Sequence, residues 1–114
     1  MRPEIPKLLE DVRDSGSFIL SSIAGRTLDQ FEADRLLRQA IERNFEIIGE
    51  ALRRIAGIDA DIAAQIGDTR RIIDFRNLII HGYDRIDYEL VWVVIHEKLP
   101  DLVSRVEVLL RDAP

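Results

Sequence analysis

The chain has 114 residues, no cysteine, and 21 acidic against 16 basic side chains, for a formal net charge of −5. This length predicts one domain over residues 1–114, and the missing thiols exclude a disulfide framework, thiolate metal sites and a cysteine nucleophile. With 46% hydrophobic and 32% charged residues the chain is too apolar for disorder and too charged for a bilayer, and its acidic total speaks against a general nucleic-acid coat protein.

At the N-terminus, MRPEIPKLLEDVRD lacks the apolar region of a signal peptide, and the longest apolar run, residues 90–95, is far short of a membrane span. A cytoplasmic protein without membrane contact is expected. From Ile5, the apolar residues Leu8, Val12, Ile19 and Ile23 mark one helix face, with Gly25 ending the helix. Gly16 interrupts it at a cost of about 1 kcal/mol relative to alanine. Thr27 and Gln30 read as a capping box that opens one long helix, closed by Gly57. Its main stripe is Leu37, Ile41, Phe45, Ile48, Leu52 and Ile55. A second stripe of Leu36, Ala40, Ile47 and Ala51 predicts an additional buried face, against a neighbour or a second subunit. About 28 helical residues extend roughly 42 Å, more than a globule of this size needs to cover its core. The surplus predicts a homodimer.

Residues 59–66 form a short helix, and Gly67, Asp68 and Thr69 reset the chain. Asp68 or Thr69 caps the next helix, over 70–81, with Gly82 as its stop. Asp87 caps a final helix to about residue 111, with Leu90, Val94, Leu102, Val106 and Leu109 or Leu110 facing inward. Pro100 should kink or briefly break that helix. Val91, Val93 and Val94 favour strands locally but have no partner strand. The fold class that follows is all-α, an antiparallel bundle of four main helices and a short fifth.

The chemistry concentrates at positions 76–83. Arg76 offers a planar cation suited to phosphate, His81 a group that titrates near neutrality, and Tyr83 a phenol. Phosphodiester cleavage needs a cation for the charge gathering on phosphorus and a proton shuttle for the attacking or leaving oxygen. Five residues on an ideal helix turn about 140° and rise about 7.5 Å, so Arg76 and His81 do not share a face. A cleft where two copies of the helix meet would bring such residues together. Read individually, Arg76 could equally pair with Asp74, Asp84 or Glu50, and His81 could simply favour a helix C-terminus. His96 is expected to be structural or solvent-facing, and Trp92 to be core or interface. The two histidines lie fifteen residues apart outside any ligand spacing, so no metal site and no cofactor is expected.

The segment from Arg76 to Tyr83 reads Arg-x-x-x-x-His-x-Tyr and resembles the signature of the HepT-like ribonuclease toxins of the HEPN superfamily. The stretch AIERNFEIIGEA, positions 40–51, is similar to that family's second-helix signature. Asp84-Arg85-Ile86-Asp87, Val91-Trp92 and Leu99-Pro100-Asp101-Leu102 resemble its last helix. The resemblance implies a HEPN-like homodimer with two motif copies lining an interface cleft, and a metal-independent RNase. It also implies a type VII toxin-antitoxin pair, in which an MNT-type nucleotidyltransferase antitoxin transfers AMP onto the motif tyrosine. Carried onto this chain, Arg76 and His81 are catalytic and Tyr83 is the modified hydroxyl. Asn77 helps orient the site, and Glu50, in the family's Gly-Glu-Ala element, supports it.

The expected function is therefore a toxin endoribonuclease acting on RNA, whose 2′-hydroxyl supplies an internal nucleophile. The alternative is a non-catalytic helical dimer that binds a nucleotidyltransferase partner or is modified by it; a structural helix-bundle adaptor is a third reading. Between residues 69 and 81, Arg70, Arg71 and Arg76 face the single Asp74, a local charge of +2. Two such segments at a dimer cleft would hold RNA locally despite the acidic body, with marked salt sensitivity.

Overall fold

Each predicted helical segment forms, and the two longest are cut in two. The computed structural model describes residues 1–81 and 86–112, the side chains of Ile80 and His81 excepted. Within them lie seven helices: α1 (Glu4–Ile23), α2 (Leu28–Ala33), α3 (Arg35–Ile58), α4 (Ala60–Ile66), α5 (Thr69–His81), α6 (Tyr88–Glu97) and α7 (Leu99–Asp112). No strand occurs among the described residues. No helix among them is long and apolar enough to cross a membrane.

The capping box at Thr27 is present in both halves. Gln30 N–H donates to Thr27 Oγ1 at 3.2 Å, and Thr27 N–H to Gln30 Oε1 at 2.9 Å. The helix it opens stops after six residues, because Asp34 adopts an extended backbone and its carboxylate accepts the Leu37 N–H at 3.0 Å. An aspartate that offers its own acceptor to the backbone competes with helix continuation and starts a new helix instead. At the far end Gly57 lies inside α3, and the closing role belongs to Asp59. Its N–H donates to Ile55 O at 2.8 Å, and its side chain then caps α4 through the N–H groups of Asp61 and Ile62. The 24 residues of α3 rise about 36 Å, within the 43 Å long axis of the molecule. The surplus length expected of this helix therefore disappears. From its second stripe Ala51 is buried, Ala40 and Ile47 are half-buried, and Leu36 is 80% exposed.

The final helix also divides. Asp87 caps α6 by accepting the Leu90 N–H at 3.1 Å, as expected. The break falls at Lys98, which puts Pro100 in the first turn of α7, where its missing N–H leaves no bond unmade. The break changes the inward face. Val91 and Ile95 are buried in α6, whereas Leu90 is exposed and Val94 only half-buried. In α7 the expected Leu102, Val106 and Leu109 are buried.

One apolar cluster joins α1, α3 and α7 with Phe31, Ala63, Ile66, Phe75 and Ile79. The helix α1 packs on α3 and α7, and α3 packs on α1 and α5. Gly16 does not break α1. A Cβ there would stand 2.5 Å from Val103 Cγ2, so the missing side chain lets α7 approach α1 closely. Trp92 stacks on Phe31 with ring centres 5.5 Å apart, which places it with the core.

Candidate functional site

The motif helix α5 lies on α3, and Arg76 is at that contact. Phe75 and Phe45 meet edge to face at 5.1 Å, seating α5 one residue before the arginine. The Arg76 side chain is only 14% exposed. Its stem crosses α3 at Gly49, where a Cβ would stand 2.5 Å from Arg76 Cγ and 2.6 Å from Arg76 Cβ. These atoms are the root of the side chain rather than its flexible tip, so any larger residue at position 49 displaces the arginine or the helix. Glycine in mid-helix costs about 1 kcal/mol relative to alanine, and here that loss is what admits Arg76.

The guanidinium reaches Glu50 loosely. Arg76 Nη2 is 3.7 Å from Glu50 Oε2, an ion pair beyond hydrogen-bond distance. Among the described residues Arg76 Nε has no hydrogen-bond partner, and it is buried against Gly49. Such a donor costs about 1–3 kcal/mol when left unsatisfied, a cost that the packing of Arg76 on α3 has to offset. Glu50 itself is held by Arg53 of the same helix, whose Nη2 donates to Oε1 at 2.8 Å and Nε to Oε2 at 3.2 Å. The Arg53 hydrogen bond holds the Glu50 carboxyl below the usual carboxylate range, with further contributions from the charges of Arg53, Arg76 and Arg54.

The structure thus joins two of the expected site residues, Arg76 and Glu50, one of the three pairings that the sequence left open. Asn77 is exposed on α5. His81 is the last residue of the same helix, and its side chain lies outside the described residues. Tyr83 lies wholly outside them, as do Gly82, the expected helix stop, Asp84 and Arg85. Because α5 is continuous from Thr69 to His81, positions 76 and 81 are about 140° apart around it.

The local charge is smaller than the count over 69–81 suggested. Arg71 pairs with Asp68 at 3.0 Å, an acid just outside that count, and Arg70 approaches Asp74 at 3.9 Å. Both pairs are exposed; Arg76 is the half-buried arginine of the three. His96 is exposed, as expected, and its Nδ1–H donates to Trp92 O at 2.8 Å.

Sequence reading missed two features. Gly49 was legible only as part of a signature, although a glycine inside the strongest helical stretch is itself a signal of close approach. The second gave no signal at all, at a separation of 46 residues: the Tyr88 hydroxyl donates to Glu42 Oε2 at 3.3 Å, and the Arg38 guanidinium lies 5.3 Å from the Tyr88 ring centre. This contact ties the start of α6 to α3.

Among the described residues the fold is all-helical, as in the HEPN-like class of architecture, and its motif helix brings a half-buried arginine to the glycine-glutamate step of a long helix. Residues 8–109 match the family model described as "Ribonuclease HepT-like", and the chain belongs to that family. It is similar to the protein of Methanocaldococcus jannaschii named "Putative RNase MJ1380", with 28% identity over 93% of this chain and 96% of the relative. It is 26% identical to "Putative RNase TTE0752" of Caldanaerobacter subterraneus subsp. tengcongensis, over 90% of this chain and 91% of that one. "Probable ribonuclease HepT" of Thermococcus cleftensis is 28% identical over 89% of this chain and 91% of the relative. No solved structure gives a significant match.

Proposed function

We propose that the protein is a metal-independent toxin endoribonuclease that acts as a homodimer over residues 1–114. The observation that carries this reading is Arg76: fixed at its root by Gly49, half-buried, and left among the described residues with an unpartnered Nε and one loose ion pair. A cation held this firmly and satisfied this poorly suits a phosphodiester. Family membership and the names of the relatives support RNA as the substrate.

In this mechanism the 2′-hydroxyl oxygen attacks the adjacent phosphorus and loses its proton to a base, while the phosphorus–O5′ bond breaks and the leaving oxygen takes up a proton. His81 serves in this proton transfer as general base or general acid. Arg76 stabilises the charge that gathers on the phosphoryl oxygens. The products are a 2′,3′-cyclic phosphate and a 5′-hydroxyl. Since positions 76 and 81 diverge around one helix, the dimer cleft supplies the convergence, with each chain contributing to a shared site. Glu50 supports the site, and Asn77 helps orient it. AMP transferred from ATP onto the Tyr83 hydroxyl by an MNT-type nucleotidyltransferase antitoxin, with pyrophosphate leaving, in a type VII pair, brings negative phosphate and bulk to the same cleft and silences it.

The test is RNA cleavage in the presence of EDTA by wild type and His81→Ala. The variant is expected to stay folded and dimeric while losing cleavage and the cyclic phosphate end; full cleavage by a folded variant sinks the assignment. Incubation with the antitoxin and ATP should add AMP mass to wild type and none to Tyr83→Phe. A dimer that takes up AMP yet never cleaves RNA would favour the non-catalytic reading instead.

A further inference from the structure

An arginine that must grip phosphate is poorly served by a carboxylate that can grip it first. Glu50 Oε2 stands 3.7 Å from Arg76 Nη2, less than an ångström beyond a charge-assisted hydrogen bond. A modest rotation of the glutamate would close a fork-to-fork pair and occupy the guanidinium. Arg53 opposes that rotation. It is three residues along the same helix and binds both oxygens of Glu50, Oε1 at 2.8 Å and Oε2 at 3.2 Å. Meanwhile Gly49 fixes the root of Arg76 and its Nε remains unpartnered.

We propose that Arg53 is a positioning residue of the site: by holding both oxygens of Glu50, it keeps the Arg76 guanidinium in place but uncommitted, free for a phosphate. This deepens the RNase reading and rests on it. The division of labour is steric and electrostatic. Gly49 decides where the arginine stands, and the Glu50–Arg53 pair decides whether its donors are available. Removing Arg53 turns Glu50 from a distant counter-charge into a competitor for the substrate.

The experiment compares cleavage of a short RNA by wild type, Arg53→Ala, Glu50→Gln and the double variant. Arg53→Ala should lose about two- to fivefold in kcat/KM, the worth of an exposed ion pair. Glu50→Gln should change KM less than Arg53→Ala does, because in the wild type Arg53 already keeps the carboxylate from competing. The double variant should recover most of what Arg53→Ala loses, a strong departure from additivity. Arg53→Ala at the wild-type rate overturns the proposal. So does a double variant as slow as Arg53→Ala, which would mean that Arg53 serves RNA or the fold directly. If wild type cleaves no RNA, the RNase reading fails by itself. The positioning role is then read by titrating inorganic phosphate while following the Arg76 Nε–H resonance. Arg53→Ala should bind phosphate severalfold more weakly and the double variant should restore binding; equal affinity in wild type and Arg53→Ala overturns it.

Discussion

The two sides of α5 are unlike one another. On one side Phe75, Ile79 and Arg76 press into α3, with an edge-to-face aromatic pair and a glycine that admits the arginine stem. On the other, α5 faces α6 and α7 across an open cleft of about 540 Å³, lined by Ile72, Leu78, Leu90, Val94 and Leu102. Leu78 is 65% exposed and Leu90 42% exposed. Packing fixes the first side and leaves the second unfilled. A side chain whose charge must meet a substrate at a set point needs the packed side, since only there do neighbours over-determine its position.

That contrast can be broken from either side. Phe75→Ala empties the packed side and should lower unfolding free energy by about 3–5 kcal/mol, read by denaturant titration; a loss under about 1 kcal/mol would mean that α5 is not anchored there. Gly49→Ala tests the same contact by overfilling. It should cost about 1–3 kcal/mol and reduce RNA cleavage on the order of 100-fold by shifting Arg76. An unchanged rate would separate the arginine from the chemistry. On the open side, Leu78→Ser should change monomer stability by less than about 0.5 kcal/mol; a larger loss, dependent on protein concentration, would show that a partner covers this wall.

The smallest expected effect concerns the attachment of α6, the far wall of the cleft. Burial raises the Glu42 carboxyl above its ordinary value of 4.5, against the lowering effect of the Tyr88 hydrogen bond. The folded chain therefore keeps that proton where the unfolded chain releases it. This favours folding most at acid pH, and the advantage is lost as pH rises from 4.5 through the folded value. Glu42→Gln should flatten the stability profile in that window, as measured by thermal unfolding across pH; an unaltered profile would remove Glu42 as its source.

The sequence by itself determined where helices run and most of where they stop, because caps and periodicity are local chemistry. Thr27 with Gln30, Asp59 and Asp87 each act within four residues of themselves. It also determined the family, through a motif and two helix signatures spread along the chain. Asp34 escaped because an aspartate within an apolar period reads as one more surface charge, and its ability to restart a helix depends on the backbone turning there. Leu90 and Val94 were assigned inward on a helix taken as continuous to residue 111, but the break at Lys98 lets α6 turn a different face to the core. What only the tertiary structure decided is the seating of Arg76 on Gly49, its choice of Glu50 among three possible partners, and through Glu50 its link to Arg53. Those residues lie more than twenty positions apart, and their contact follows from the angle at which two helices pack. No local pattern encodes that angle; it is set by the aromatic pair and by the side chain that Gly49 lacks.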